Sequence, residues 1–145
     1  MPGGRAERPW PPAGARRMLK VTPQVTTDCP VAQHREGMAM SFNLAVILSE
    51  TAKSSPDKPA AVFTGGRLTY RQLDQESDRL AATLAATGIK PGDPVALQLP
   101  NIPQFLISYF GILKCGGIVV PLNVLLKAPE VAFHLGDSGA RILIT

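Results

Sequence analysis

Cysteine is scarce in this chain of 145 residues: Cys29 and Cys115 are the only two. One stands in a stretch without apolar period and the other closes an apolar run, so their spacing suggests neither a metal site nor a disulfide framework. Two reduced thiols suit a cytoplasmic protein. Acidic residues are fewer than basic ones, 11 against 15, but the imbalance is local. Residues 1–40 hold six Lys or Arg and three acids, which leaves nine against eight in the body. A nearly neutral body does not indicate binding to nucleic acid or to an anionic membrane. Unbroken hydrophobic runs are also lacking. From Pro94 to Leu113 there is no charge, yet Gln98, Pro100, Asn101, Pro103 and Gln104 interrupt the first half, which excludes one continuous membrane helix there. The basic leader has no apolar core of the length an export signal needs.

What is present centres on PVALQLPNIPQFLISYFGILKCGGIVVPL, Pro94 to Leu122. Val95 to Leu99 reads as a strand. Ile102 to Cys115 carries Ile102, Phe105, Leu106, Tyr109, Phe110 and Leu113 at helical spacing, with Asn101 placed to cap its start. Gly116 and Gly117 end the helix, the first in a left-handed conformation. Ile118 to Pro121 reads as a second strand, covered on both faces. This is a βαβ unit of a parallel sheet, with a right-handed crossover expected.

Residues 1–40 are rich in Pro, Gly and Arg and repeat no apolar pattern, so a disordered leader is expected. Met38 or Met40 could be the native start, and a transit-like or regulatory arm is the alternative. From Ser41 the chain is patterned. Leu44, Ile47, Leu48 and Thr51 share a helical face. Ala60 to Thr64 and Arg67 to Tyr70 read as a hairpin turning at Gly65 and Gly66. Thr69 and Gln72 form a capping-box pattern at the head of a helix whose stripe is Leu73, Ser77, Leu80, Ala81 and Leu84, and Gly88 closes it. Pro129 and Glu130 suit the first turn of a last helix, with Val131, Leu135 and Ala132 facing inward and Ser138 and Gly139 ending it. Arg141 to Thr145 reads as another strand.

Several groups invite chemistry. Gly65 and Gly66 are not a phosphate loop, since no Lys or Ser/Thr follows at the required spacing and no helix begins after them. Arg71, Asp74, Gln75 and Asp78 read as a solvated helix face rather than a catalytic set. His134 and Asp137 stand three apart, as a base and its orienter could, but no nucleophile accompanies them. Open parallel sheets place ligands at the carboxyl ends of their strands, here the loops at Pro100-Asn101 and Leu122-Asn123. Both asparagines equally suit caps and turns. No residue is assigned a catalytic, cofactor-binding or metal-binding role.

Two segments carry a resemblance. LTYRQL, Leu68 to Leu73, resembles the first core motif of the adenylate-forming, AMP-binding superfamily, and LKCGGIVVPLN, Leu113 to Asn123, resembles the second. The LPN turn at Leu99 to Asn101 and the closing HLGDSGARILIT are similar to segments of fatty-acyl-CoA ligases. The resemblance covers roughly Ser41 to Thr145. It implies an α/β fold: the N-terminal part of the adenylate-forming large domain, a β-hairpin followed by alternating helices and parallel strands. It also implies a family that uses ATP, Mg2+ and coenzyme A to convert a carboxylate to an acyl-adenylate and then a thioester. The family's phosphate loop, ribose-holding acid, magnesium ligand and lid lysine have no counterpart before Thr145.

The expected organisation is a leader over 1–40 and a partial AMP-dependent synthetase/ligase domain over 41–145. The expected function is that of an N-terminal fragment of a long- or medium-chain fatty acyl-CoA ligase, inactive alone. The alternative is a stand-alone, non-catalytic α/β scaffold or partner-binding module. Expected partners are the downstream part of such a ligase or a second copy of the chain, because Ile142 to Ile144 would leave an apolar sheet edge.

Overall fold

The computed structural model describes the backbone of Arg17–Leu19, and residues 43–63 and 65–145. The rest of the leader, with Cys29, Met38 and Met40, and likewise Ser41 and Thr64, lie outside the described residues.

The elements run β1 (Arg17–Leu19), α1 (Ala45–Ser54), β2 (Pro59–Phe63), β3 (Gly66–Thr69), α2 (Tyr70–Ala86), β4 (Pro94–Leu97), α3 (Pro103–Lys114), β5 (Ile118–Pro121), α4 (Ala128–Ser138) and β6 (Ile142–Ile144). Four strands form a parallel sheet in the order β1-β6-β4-β5, while β2 and β3 form a separate antiparallel hairpin. The α/β architecture of hairpin, helices and parallel strands is as expected.

Alternation along β4 builds the two faces of the sheet. Val95 and Leu97 pack with Ile142 and Ile144 of β6 under Ile112 of α3 and Leu80 and Leu84 of α2. Ala96 points the other way, into a smaller cluster with Leu122 and Val131 of α4. From β4 the chain moves outward through α3 to β5, then returns through α4 past β4 to β6. Opposite directions with helices on opposite faces mean that the two crossovers share one hand.

Turn chemistry holds the helix ends. Thr69 and Gln72 make the expected capping box: the Gln72 amide donates to Thr69 Oγ1 at 3.2 Å and the Thr69 amide to Gln72 Oε1 at 2.9 Å. Gly116 is left-handed at φ +81, and the amides of Gly116 and Gly117 donate to the carbonyls of Leu113 and Ile112. Those paired bonds are the Schellman closure, which satisfies carbonyls the helix leaves open.

Five expectations shift. The hairpin pairs Phe63 with Gly66, so Gly66 belongs to the returning strand rather than to the turn, and Gly65 turns at φ +97. Asn101 does not cap α3. Ile102 holds the cap position with no side-chain bond, and Pro103 opens the helix, where a missing amide hydrogen costs nothing. On α1 the inward residues are Ala45, Leu48 and Ala52, while Leu44 and Ile47 are exposed. Asn43 sets this phase: its Oδ1 accepts from the Ala45 amide and its Nδ2 donates to the Leu113 carbonyl, 2.9 and 2.8 Å. Strand β5 is an edge, with Ile118 54% exposed. Its Pro121 suits an edge because proline gives no ladder donor. Finally, β6 is interior: Arg17, Met18 and Leu19 of the leader pair with Ile142, Leu143 and Ile144.

The packing of α3 differs from its apolar stripe. Its buried residues are Ser108, Gly111 and Ile112, while Phe105 and Tyr109 lie half-buried beside the core. A Cβ on Gly111 would stand 2.9 Å from Leu80 Cδ2, so α2 and α3 meet where the side chain is absent. Helices approach through small residues because bulk would hold the backbones apart.

Candidate functional site

The strand order reverses at β4, and the carboxyl ends of β4 and β6 are where open sheets of this kind take ligands. The Gln98 amide donates to the Ile144 carbonyl and the Leu122 amide to the Leu97 carbonyl, both at 2.8 Å, so the ladders run to the rim. The Gln98 side chain then bridges the two exit loops: its Nε2 donates to the carbonyls of Asn123 and Leu126 at 3.0 and 3.3 Å. Asn123 Oδ1 accepts from the Leu125 amide at 2.9 Å, a local Asx turn. Asn101 is exposed beside an open apolar groove of about 280 Å3, with Val62 and Phe63 of β2 on one wall and Ile102, Phe105 and Leu106 on the other. The two loops named from the sequence therefore do not converge on one site. Asn123 shapes its own turn and Asn101 borders the groove. Gln98, which holds the rim together, carries no motif. The signal that could have found it is an amide placed where an apolar strand leaves the sheet.

Charge is concentrated elsewhere. Lys114, in the last turn of α3, has a side chain only 7% exposed. Its Nζ donates to Asp74 Oδ1 and to Asp78 Oδ1, each at 2.6 Å, and to the Asp74 carbonyl at 2.9 Å. Ser49 Oγ of α1 donates to the same Asp74 oxygen at 3.0 Å. The supposed solvated face of α2 is therefore half a docking surface: Asp74 joins three helices, whereas Arg71, Gln75 and Asp78 are exposed. An ammonium buried in a low-dielectric seam needs such partners.

His134 and Asp137 form no hydrogen-bonded pair among the described residues. The His134 ring packs edge-on against Phe133, and its carbonyl accepts from Ser138 Oγ at 2.6 Å. Burial pushes the Cys115 thiol above its ordinary value, and Asp93 adds a smaller push the same way, against the lowering of nearby backbone hydrogen bonds. A protonated, half-buried thiol is a poor nucleophile. No group of three His, Cys, Asp or Glu that could hold a metal ion occurs among the described residues.

Stabilising a transferring nucleotidyl group needs positioned cations, metal ligands or free backbone donors. At the rim the amides of Gln98, Leu122 and Leu125 are engaged, while Lys127 is exposed at the head of α4; Lys114, at the far end of α3, is committed to Asp74 and Asp78. Together the rim and groove offer an apolar surface bordered by the exposed amides of Asn101 and Asn123 and by the exposed Lys127.

Comparison with known proteins places these elements. The AMP-binding enzyme family matches residues 48–145. A long-chain-fatty-acid–CoA ligase of Bacillus subtilis is 42% identical over 102 residues, 70% of this chain and 18% of the relative. Long-chain-fatty-acid–CoA ligase FadD13 of Mycobacterium tuberculosis is 41% identical over 104 residues, 70% of this chain and 21% of the relative. The chain thus spans about a fifth of the length of these relatives. Among solved structures, the N-terminal domain of FACL13 from Mycobacterium tuberculosis superposes with TM-score 0.67 at 40% identity, over 70% of this chain and 26% of that one. The N-terminal subdomain of Klebsiella oxytoca NpsA, in complex with 3-hydroxyanthranilyl-AMSN, gives 0.66 at 30% identity, over 70% and 26%. The chain belongs to the AMP-binding enzyme family, and its described fold is that of the N-terminal part of an adenylate-forming enzyme.

Proposed function

We propose that this chain is the N-terminal part of an ATP-dependent acyl-CoA ligase for a long- or medium-chain fatty acid, and that alone it forms no acyl-adenylate. The observation that carries the reading is the match of about a hundred residues, at 42% identity, to one fifth of a long-chain-fatty-acid–CoA ligase. What supports the second half is that these residues carry no phosphate-loop pattern, while the chemistry needs positioned donors and cations. In this reading ATP, Mg2+ and coenzyme A are held by sequence beyond these residues, and the protein works in the cytoplasm.

Complementation tests it. The 145-residue chain is co-expressed with the Bacillus subtilis ligase lacking its matching segment, and fatty-acid-dependent exchange of pyrophosphate into ATP is measured. Exchange with both parts together and with neither alone is expected. Exchange by the chain alone, or none by the pair, contradicts the proposal.

A further inference from the structure

Helix α4 is held by less packing than the helix α2 on the other face of the sheet. Of its residues only Val131 is buried, against Leu73, Ser77, Leu80, Ala81 and Leu84 on α2. Val131 and Leu135 cover Ala96 and Leu143, on the face away from α2 and α3. A helix of 11 residues is marginal in water by itself, so once it leaves this face it also unravels.

The head of α4 has a second attachment. The chain from Asn123 to Leu126 closes on itself: the Leu126 amide donates to the Asn123 carbonyl at 3.1 Å and the Leu125 amide to Asn123 Oδ1 at 2.9 Å. The Lys127 amide then donates to Glu130 Oε2 at 2.8 Å, which joins this turn to the helix. Turn and helix are one body. The carbonyls of the first and last turn residues both accept from Gln98 Nε2, at 3.0 and 3.3 Å, and a carboxamide nitrogen has two hydrogens to give. Gln98 is anchored in turn by its own amide, which donates to the Ile144 carbonyl at 2.8 Å. At the far end of α4 stands Gly139, left-handed at φ +70, with open space where a side chain would be.

We propose that the Gln98 carboxamide is a latch on α4. It docks the turn and helix on the sheet; when it lets go, α4 leaves the Ala96 face and unravels as a unit, pivoting at Gly139, while α2, α3 and the sheet stay folded. The latch consists of bonds made within the described residues, and it holds whether or not the chain is part of a ligase.

Amide hydrogen exchange of the 145-residue chain tests it, with Gln98→Met as the variant, because methionine keeps the length and bulk of the side chain and loses both donors. In the unaltered chain the amides of residues 131–138 are expected to be less protected than those of residues 74–86. Gln98→Met is expected to lower protection in α4 by about tenfold or more, the scale of one or two lost hydrogen bonds, and to leave α2 unchanged. Gln98→Glu, ionised at neutral pH, sets a carboxylate against the same two carbonyls and should lower protection in α4 further. Equal protection of α4 and α2 in the unaltered chain, an unchanged α4 in Gln98→Met, or an equal loss in α2 and α4, each overturns the proposal.

Discussion

Lys114 Nζ lies 2.6 Å from Asp74 Oδ1, which ties the last turn of the apolar helix α3 to the supposedly solvated side of α2. Asp74 is 24% exposed and Asp78 57%, so the two carboxylates that share the ammonium are not equivalent. Replacing Asp74 by Ala strips a buried ammonium of one partner and Ser49 of its acceptor. The expected cost is about 1–3 kcal/mol. Asp78→Ala should cost less than about 1 kcal/mol, as for exposed ion pairs. Urea denaturation of the two variants checks the order; equal midpoints would contradict it.

The α2–α3 seam gives a second contrast. Ile112 is fully buried, and Ile112→Ala should cost about 2–5 kcal/mol. Gly111→Ala is a gain in helix propensity of about 1 kcal/mol on an isolated helix, yet here its methyl meets the Leu80 side chain at 2.9 to 3.0 Å. Overpacking of about 1–3 kcal/mol should win, so the variant melts lower than the parent. A higher melting temperature for Gly111→Ala would show that the helices have room to separate.

The raised thiol of Cys115 sets a pH dependence. The unfolded thiol ionises near 9.0 while the folded one keeps its proton to higher pH, chiefly through burial. The stabilisation is therefore fully present below that value and is lost as pH rises through it toward the folded value. Thermal unfolding between neutral and alkaline pH should show this loss, and Cys115→Ala should remove that component. The native thiol should also react with a disulfide reagent more slowly than the unfolded one. Equal rates would mean that Cys115 is not held by the core.

Much of the fold was legible because local chemistry and packing agree. The capping box at Thr69, the buried stripe from Leu73 to Leu84 and the left-handed glycines 88 and 116 obey rules that need only neighbouring residues. The phase of α1 and α3 was not legible. It depends on Asn43 reaching the Leu113 carbonyl, and on Gly111 yielding space to Leu80. Apolar periodicity cannot weigh a missing side chain, so the stripe it drew includes Phe110 and leaves out the fully buried Ile112. The same limit hid the role of Asp74, whose partner is forty positions away. At the rim, the carboxyl ends of the strands were found, but Gln98 was not, because its two acceptors are backbone carbonyls that no motif records.

The most direct measurement is calorimetric titration of the 145-residue chain with Mg-ATP. With no phosphate-loop pattern in these residues, no saturable heat is predicted below the millimolar range. Saturable binding at micromolar concentration would contradict the reading of this chain as a part of an acyl-CoA ligase that depends on further sequence for its nucleotide.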